Sequence, residues 1–379
     1  NIQTNIKAGN ERVVRPRLSD AEFFFQTDRK NSLESYFKKL ENIVYQKDIG
    51  TLAFRSDCVE ELAKYIANEI NADASKAARA AHLAKCDLAT TMVTEFTDTQ
   101  GIMGMHYAEL DNEDKDVSDA IFEQYLPRFA GDIIPTKPVQ ISVSLAEKII
   151  TLVGIFGINM LPKGDKDPFG LRRAAIGLIR IMIENNISIN FYKLIEKACS
   201  ILEAKLKSKE TKENVINFVY NRLKAYYQDQ GIEASIFLAV LSTNPEDILD
   251  FDNRVKAVKQ FKSLPEAENL ASAYKRINNI LSKADNFDKN INESLLKEDA
   301  EIKLFSVLKT VEVKVSKLYS ESNYTEALSA LSELKDPVDK FFENVMVNAE
   351  DSKIKNNRLA LLNNLHEIIA KTADISVLY

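Results

Sequence analysis

The chain contains only three histidines, His82, His106 and His366, so few side chains could act as a general base. Nucleophilic catalysis needs a serine or cysteine beside such a base, together with an orienting acid. His82 precedes Cys86 by one turn of a predicted helix, which makes a thiol–imidazole contact geometrically feasible. None of the three histidines lies in a recognisable catalytic signature. The sequence therefore favours packing residues without chemistry at these positions.

Four cationic side chains surround a glycine-containing loop that leads into a predicted helix. They are Lys163, Lys166, Arg172 and Arg173. The N-terminus of a helix offers free N–H groups and a positive dipole end to anions, so this segment suits contact with an RNA backbone. The glycine spacing of nucleotide-binding loops is missing. A solvated loop whose charge is offset by Asp165 and Asp167 is an equally strong alternative.

Two further groups of polar side chains could bind nucleic acid. The first group lies near the N-terminus and consists of Arg12, Arg15 and Arg17. The second lies on two predicted helices of the C-terminal third and consists of Tyr274, Lys275, Arg276, Asn279, Asn357 and Arg358. Such side chains can stack on unpaired bases and hydrogen-bond to them. The alternative is an amphipathic bundle with a solvated face, because residues 264–379 hold 15 Lys and Arg against 19 Asp and Glu.

The helix that follows the cationic loop has the clearest pattern in the chain. Residues 167–185 read DPFGLRRAAIGLIRIMIEN. Asp167 can cap a helix here, and Pro168 suits its first turn because the N–H that proline lacks is not needed there. Apolar residues then recur at helical spacing and form one stripe, while Arg173 and Gly177 lie on another face. The pattern predicts a buried helix with one polar face.

Helical periodicity recurs along almost the whole chain, and neither a strand nor an internal repeat is evident. The pattern predicts an all-α protein with three parts, an extended segment over residues 1–18, a helical domain over 19–245 and a smaller helical bundle over 250–379. Pro16 biases Arg15 away from the helical conformation, which is why the first segment is predicted to be extended. An acidic stretch at 243–252 predicts a linker, and the glycines and acidic residues of 97–115 predict a loop.

The composition is typical of a soluble globular protein, with 45% hydrophobic and 28% charged residues. No apolar run approaches the roughly 20 residues of a membrane helix, and residues 1–20 lack the apolar centre of a signal peptide. The three cysteines lie far apart, which favours a reducing cytoplasm and excludes a CxxC metal site. The net charge of −6 argues weakly against nucleic-acid binding by bulk electrostatics, but grouped cations can still bind RNA on an acidic protein.

Four segments resemble the beta subunit of bacterial heterotetrameric glycyl-tRNA synthetase. The helix at 167–185 and the segment LAKCDLATTMVTEFTDTQGIMGMHYA at 83–108 resemble two signatures of that family. GNERVVRPRLSDAEFFFQTDRK at 9–30 resembles the segment leading into its helical half, and NRLALLNNLHEIIAKTADISVLY at 357–379 resembles its terminal helix. The resemblance covers essentially the whole chain. Because the first residue is Asn rather than Met, we expect the chain to be the C-terminal part of a longer subunit.

The resembled family carries an HD-type domain, whose hydrolytic members need a His, a His–Asp pair and a later Asp around a divalent metal that activates water. In this chain the first His position falls at Arg55, the pair at Cys86 and Asp87, and the last Asp at Ile150. Only Asp87 could ligate a hard cation, and one carboxylate cannot hold a catalytic metal. The resemblance therefore implies an HD-like domain with a degenerate site, no bound metal and a scaffolding role.

The resemblance also implies a function. In that family the alpha subunit holds the class II aminoacylation site, so ATP and Mg are expected there and no cofactor is expected in this chain. The beta subunit positions tRNA-Gly, and residues 250–379 resemble the all-α anticodon-binding domain shared with arginyl-tRNA synthetases. We therefore expect tRNA-Gly and the alpha subunit as partners, in an alpha2beta2 assembly in the cytoplasm, without membrane or DNA.

Two alternatives belong to other functional classes. The first is a helical assembly scaffold that makes no direct RNA contact, in which clustered arginines pair with acidic neighbours instead. The second is an active HD phosphohydrolase. The residues at Arg55, Cys86 and Ile150 argue against the second alternative, because none of the three is a ligand for a hard cation.

Overall fold

The computed structural model describes residues 2–162, 164, 166–284 and 287–379. Within these ranges the chain is almost entirely helical and forms two compact units, Asn1–Leu223 and Lys224–Tyr379. The all-α fold class predicted from periodicity is confirmed. The unit boundary lies about 20 residues before the linker predicted at 243–252, so the stretch before that linker belongs with the C-terminal helices.

The first unit consists mainly of helices that follow one another along the chain. They are α1 (Ile2–Asp28), α2 (Phe37–Leu40), α3 (Leu52–Glu69), α4 (Ala74–Leu83), α5 (Thr91–Glu95), α6 (Ile102–Leu110), α7 (Lys115–Glu123), α8 (Pro138–Gly157), α9 (Leu171–Glu184), α10 (Phe191–Ile201) and α11 (Thr211–Asp229), whose last residues belong to the second unit. Two short strands, β1 (Val44–Gln46) and β2 (Gly50–Thr51), pair as an antiparallel ribbon, with Val44 opposite Thr51. The prediction that the chain contains no strand was therefore wrong for this short ribbon.

Helix α8 is the centre of the first unit. Helices α3, α4, α7, α9 and α10 pack against it. Because it is covered on all sides, its sequence is apolar all round rather than along one stripe. It is also the one described helix long and apolar enough to cross a membrane, and 89% of the relevant window is buried inside the fold. A buried core helix accounts for that composition.

Two glycines fix the position of α9. Gly170 adopts a left-handed conformation with φ of 65°, and the helix begins at the next residue, Leu171. Further along, a Cβ added to Gly177 would lie 2.7 Å from the Lys148 side chain and 3.3 Å from Pro127. Glycine at this position therefore allows α9 to approach α8 closely, and the close neighbour is the unit's own core rather than a ligand.

The prediction of a loop over residues 97–115 was wrong, because this segment contains α6. Gly101 has φ of 79° and ends the preceding turn. Gly104 then faces the core, where an added Cβ would lie 2.8 Å from Ile121 Cγ2. Glycine is a weak helix former. Its presence here serves close packing, a requirement that single-sequence propensity does not detect.

The extended segment predicted over residues 1–18 was also wrong, because residues 2–18 belong to α1. Pro16 lies inside the helix, where it removes one hydrogen-bond donor and its ring crowds the carbonyl four residues earlier, although its fixed φ is compatible with helical geometry. The side chains of residues 6–20 are all exposed. The anchored part of α1 is its C-terminal end, where Phe25 stacks on Tyr107 with ring centroids 5.8 Å apart.

Asp28, the last residue of α1, is the main polar anchor of that helix. Its carboxylate accepts hydrogen bonds from Thr91 N at 2.9 Å and Met92 N at 2.8 Å, and so caps α5. It also accepts one from Tyr107 Oη at 3.2 Å. The residue is 2% exposed. One buried side chain thus joins the end of α1 to the start of another helix, where free N–H groups need acceptors.

The second unit is a bundle of α-helices around an apolar core. The helices that follow α11 are α12 (Ala234–Leu241), α13 (Ile248–Lys262), α14 (Ala267–Leu281), α15 (Asp299–Ser320), α16 (Tyr324–Leu331), α17 (Lys335–Asn344) and α18 (Ser352–Ala370). Helix α15 packs on α16, α17 and α18, and α14 packs on α18. Pro337 lies in the first turn of α17, where proline is tolerated, and the helical stretch is divided between α16 and α17 before it.

Candidate nucleic-acid interface

An ion pair replaces the first ligand position of the HD-type pattern. Arg55 is 4% exposed, and its guanidinium donates to both carboxylate oxygens of Glu147, at 2.7 and 2.9 Å. Lys85 Nζ lies 2.9 Å from the same carboxylate. We refer to Arg55, Lys85 and Glu147 as the buried ion cluster. It places two cations on one carboxylate in the interior of the first unit.

The electrostatics of the buried ion cluster stabilise the charged forms of Glu147 and Arg55. Burial opposes ionisation of Glu147, but attraction to Arg55 and Lys85 outweighs burial and holds the pKa of Glu147 well below its usual range. Burial lowers the pKa of Lys85, and attraction to Glu147 offsets part of that effect. Aromatic faces cover both cations, since Arg55 lies 4.7 Å from the Tyr45 ring centroid and Lys85 lies 4.1 Å from that of Tyr125.

The remaining degenerate positions are structural. Ile150 and Cys86 are buried in the core, and burial raises the pKa of the Cys86 thiol to about 12. Cys86 therefore remains a protonated packing residue. Asp87 is 0% exposed and accepts a hydrogen bond from Gly101 N at 2.6 Å. Burial raises the pKa of Asp87, and the hydrogen bond from Gly101 partly offsets that effect. Asp87 thus has a structural role, because it holds the turn before α6.

His82 does not form the thiol–imidazole contact considered from the sequence. Cys86 Sγ donates to the backbone oxygen of His82 at 3.8 Å rather than to its ring. The His82 ring stacks on Phe37, with centroids 4.0 Å apart, and its Nδ1 lies 3.1 Å from Glu60 Oε2. Asp57 completes a group whose ligand-type atoms lie within 4.8 Å of one another, largely at the surface. His82 thus acts as a packing and hydrogen-bonding residue, as the sequence favours.

Lys148, next to Glu147 on α8, is a third buried cation, and it is not among the candidates predicted from the sequence. Its Nζ donates to Leu126 O at 2.6 Å and to Ser144 Oγ at 2.8 Å. The side chain is 6% exposed. The signal for both residues is present in the sequence, because Glu147 and Lys148 are the one charged pair in a 20-residue apolar helix. Charged residues are rarely buried without partners, so such a pair indicates an internal polar network.

The stability of the first unit should depend on pH through Lys148. Burial lowers its pKa to about 7, and attraction to Glu147 offsets only part of this. A lysine in the unfolded chain has a pKa near 10.4, so between about pH 7 and pH 10 the folded state binds fewer protons. The free energy of unfolding should therefore rise with pH in this window, by at most about 1.4 kcal/mol per pH unit. Urea unfolding of the wild type and of Lys148→Met, compared near pH 7 and near pH 9, measures this contribution. The wild type should gain roughly 2 kcal/mol relative to the variant, and an equal difference at the two pH values would contradict the assignment.

The helix start predicted to attract phosphate already has an anionic partner. The Asp167 carboxylate accepts hydrogen bonds from Leu171 N at 2.8 Å and Arg172 N at 2.9 Å, so it caps α9 from outside the first turn. The Arg172 guanidinium donates to the backbone oxygen of Gly164. Asp167 does bind N–H groups of the helix, but the predicted start was wrong, because α9 begins at Leu171 and Pro168 lies before it. The Asp167 carboxylate occupies N–H groups that the phosphate hypothesis needs.

The other cations of this cluster differ in their surroundings. Lys166 and Arg173 are exposed, and neither forms an ion pair with a residue in the described ranges. Lys163 lies outside the described residues. Arg12, Arg15 and Arg17 are exposed along α1, and Arg15 lies 3.8 Å from Glu11 in a surface pair. These side chains remain candidates for contact with a nucleic-acid backbone.

Three residues predicted to contact RNA in the second unit are buried instead. Tyr274 is 2% exposed and stacks on His366, with ring centroids 5.1 Å apart. Asn357 holds the backbone of Asn292, whose N–H donates to it at 2.7 Å. Arg358 pairs with the fully buried Glu301. Burial contradicts these three predictions, because the side chains contact neighbouring segments of the protein and are not available to RNA.

The remaining predicted residues of the second unit do lie together. Lys275, Arg276 and Asn279 are exposed on α14 and line a groove of about 690 Å³. Lys283 and Lys355 line the same groove, although sequence analysis did not single them out. We refer to these five residues as the cationic groove. The Arg276 guanidinium lies 4.1 Å from the Phe342 ring centroid, which orients it without neutralising it. The groove combines positive charge with an amide, which suits a phosphate backbone and base edges.

Comparison with protein families places two models on the chain. Residues 1–242 match the glycyl-tRNA synthetase beta subunit model, and residues 270–375 match the DALR anticodon binding domain model. The cationic groove lies within the second match. The division between the two matches falls after residue 242, close to the domain limit predicted from sequence, whereas the compact units divide at residue 223.

Relatives of similar sequence are glycine–tRNA ligase beta subunits. That of Shewanella sediminis is 51% identical over 374 residues, which cover 98% of this chain and 54% of the relative. That of Klebsiella pneumoniae strain 342 is 50% identical over 374 residues with the same coverage. That of Salmonella agona is 49% identical over 376 residues, 99% of this chain and 55% of the relative. The chain spans about half the length of the curated relatives it matches.

Proposed function

The chain belongs to the family of glycyl-tRNA synthetase beta subunits, and from this premise we propose that it binds tRNA-Gly and orients it for glycylation. The second unit would hold the anticodon arm. The first unit would act as a scaffold with backbone contacts. The contribution to catalysis would be orientation, because holding the acceptor end near the reacting groups converts binding energy into rate.

The observation that carries this proposal is the position of the cationic groove within residues matching an anticodon binding domain. Lys275 and Arg276 provide charge for phosphates, and Asn279 provides donors and an acceptor for base edges. A site of this kind discriminates well, because a wrong base leaves buried polar groups without partners.

The reaction itself would take place on a partner subunit. The alpha subunit would bind ATP, Mg and glycine and carry out aminoacylation, within an alpha2beta2 assembly in the cytoplasm. The residues of this chain would supply no catalytic group. The buried ion cluster supports this reading of the first unit, because Arg55 stands at the first aligned ligand position and pairs with Glu147, which Lys85 also contacts.

Removing charge from the cationic groove should weaken tRNA-Gly binding. We expect Lys275→Ala combined with Arg276→Ala to lower affinity by at least about 30-fold, since each contact of this kind contributes on the order of 1–3 kcal/mol. Both side chains are exposed, so the fold should be retained. Filter binding or fluorescence anisotropy at physiological salt, with tRNA-Gly, a non-cognate tRNA and a tRNA-Gly of altered anticodon, measures the effect.

A matched control separates the groove from net charge. Lys259→Ala with Lys317→Ala also removes two exposed lysines from the second unit, outside the groove. This control should bind tRNA-Gly like the wild type. Unchanged affinity of the Lys275 and Arg276 variant would remove these residues from the interface. Equal binding of all three RNAs by the wild type would limit the chain to backbone contact.

The α1 arginines should contribute through backbone electrostatics alone. We expect a variant with Arg12, Arg15 and Arg17 all replaced by alanine to bind tRNA-Gly and a non-cognate tRNA with equally reduced affinity. The slope of log affinity against log salt should become shallower by about 0.7–0.9 for each phosphate that the protein no longer neutralises. Titrations at several salt concentrations measure this slope. A slope equal to that of the wild type would show that these arginines face away from RNA.

The exposed apolar residues of α1 favour a scaffold role besides RNA binding. Helix α1 exposes apolar side chains as well as arginines, with Ile6 57%, Val13 67% and Leu18 64% exposed. A row of exposed apolar residues is typical of a surface that contacts protein. Absence of tRNA binding by the chain, together with loss of assembly when these residues are replaced by serine, would favour the scaffold function over RNA recognition.

A further inference from the structure

The first unit contains a pocket that the proposed tRNA contacts do not use. It has a volume of about 470 Å³ and lies between the segment after α7, the middle of α8 and the start of α9. Its lining includes Tyr125, Arg128, Lys148, Phe169 and Arg173. A cavity of this size is in the range of small-molecule sites.

The charge of the pocket favours an anion. Two arginines, Arg128 and Arg173, line it together with the carboxylates of Asp98 and Glu147. The Arg128 guanidinium also lies 3.4 Å from Asp132 in a partly exposed pair. The charge of Glu147 is already shared by Arg55 and Lys85, so it offers little to a ligand cation. Arg173 forms no ion pair with any described residue, which leaves a planar guanidinium at the opening. Guanidinium groups of this kind bind phosphate through two parallel hydrogen bonds.

The pocket wall also contains polar atoms without a partner. Gln124 is 1% exposed, and its Oε1 forms no hydrogen bond within the described protein. Tyr125 Oη is likewise buried and without a partner, while its ring is held against Lys85. Buried polar groups are almost always hydrogen-bonded. One acceptor and one hydroxyl are thus open to a further partner, an ordered water or a ligand group, beside a pocket that both residues line.

The rest of the lining is apolar and partly aromatic. Phe122, Pro127, Phe169 and Ala174 contribute to it. Phosphate alone would leave this surface unused, whereas a planar ring with polar edges would cover it and reach the unpaired polar atoms. Aromatic side chains commonly stack on nucleobases in this way.

We propose that this pocket binds a nucleotide, with Arg173 and Arg128 on its phosphate and the base against the apolar wall near Gln124 and Tyr125. The nucleotide comes either from the free mononucleotide pool or from an unpaired position of an RNA chain. The site does not depend on the cationic groove, because the two lie in different units.

Calorimetric titration of the chain with AMP, GMP, CMP and UMP tests this site. At least one nucleotide should bind, and its nucleoside and inorganic phosphate should each bind at least about 10-fold more weakly, because each carries half of the recognised groups. No saturation with any nucleotide up to ~10 mM would overturn the proposal. Nucleoside binding as tight as that of the nucleotide would overturn the role of the arginines.

Variants locate the binding in this pocket. Arg173→Ala should weaken nucleotide affinity about 10-fold, and Arg173→Lys should do so less, since it keeps the charge but loses the paired donors. Tyr125→Phe removes one oxygen and should weaken affinity about 5-fold. Lys193→Ala removes an exposed lysine of α10 outside the pocket and should bind like the wild type. Thermal melting followed by circular dichroism verifies that each variant is folded. Unchanged affinity of folded Arg173→Ala and Tyr125→Phe would overturn the proposal.

Competition identifies the source of the nucleotide. Displacement of the bound nucleotide by tRNA would support the site and identify an RNA residue as its ligand. Simultaneous binding of nucleotide and tRNA would support the site and identify a free mononucleotide as its ligand. Because the nucleotide titrations contain no tRNA, a failure of the tRNA-binding proposal leaves their result intact.

Discussion

Replacing Glu147 with alanine should lower the free energy of unfolding of the first unit by about 3–5 kcal/mol. The substitution leaves Arg55 and Lys85 buried without their shared carboxylate. Arg55 cannot relieve the cost by losing its proton, because guanidinium groups stay charged in proteins. It keeps Thr151 Oγ1 as an acceptor at 2.7 Å and the Tyr45 ring, which compensate only in part. Urea unfolding followed by circular dichroism measures the loss.

Two further variants distinguish charge from packing. Glu147→Gln keeps the shape and one acceptor oxygen and should cost nearly as much as alanine if charge dominates. Glu147→Leu combined with Arg55→Met removes the main pair together and should cost less than Glu147→Ala, because the remaining charge is smaller. A loss below about 1 kcal/mol for Glu147→Ala would mean that water reaches the cluster and solvates it.

The second unit should respond in the same way to replacement of Glu301 by alanine, with a loss of about 3–5 kcal/mol. Glu301 is 0% exposed and performs two tasks. One carboxylate oxygen pairs with Arg358, and the other accepts hydrogen bonds from the backbone N–H groups of Lys297 at 2.7 Å and Glu298 at 2.9 Å. The substitution therefore removes the capping box of α15 and leaves a buried guanidinium without its anion.

The variant Glu301→Gln separates these tasks. An amide oxygen can still accept from the backbone at the start of α15, so the loss should be smaller than for alanine by about the contribution of a cap, roughly 1 kcal/mol. Denaturation profiles of the full chain should show the change in the transition of the second unit. Equal losses for the two substitutions would mean that the cap contributes nothing. A loss under about 1 kcal/mol for alanine would contradict the assignment of a dry ion pair.

The predictions that rested on helical periodicity were the successful ones. Residues 171–184 alternate between apolar and polar faces, and the structure has a helix with the predicted stripe in the core. The fold class followed from such patterns because burial of an apolar face is the main requirement for a packed helix. The errors at α1 and α6 came from proline and glycine, which lower helix propensity locally but were outweighed by the neighbouring residues and by close packing.

Predictions of individual contacts were less successful, because a sequence does not show which polar residues meet one another. Arg358 and Lys275 look alike as cations on helices, yet one lies against a buried carboxylate and the other lines an open groove. Their difference arises from α15, which is distant in sequence. Glu147 illustrates the reverse case, because a charge in a fully apolar helix indicates an internal partner even before the partner is known.

Helix α1 is held at its C-terminal end, so a small rotation there displaces the arginines near its N-terminal end by several ångströms. Asp28, Phe24 and Phe25 hold the last two turns, whereas Arg12 lies 16 residues earlier, about 24 Å along the helix axis. A rotation of about 10° at the anchor would carry Arg12 through roughly 4 Å, about the 3.4 Å axial spacing of one phosphate along a strand. Under the proposed function, such a rotation would let the exposed arginines follow the backbone of a bound RNA.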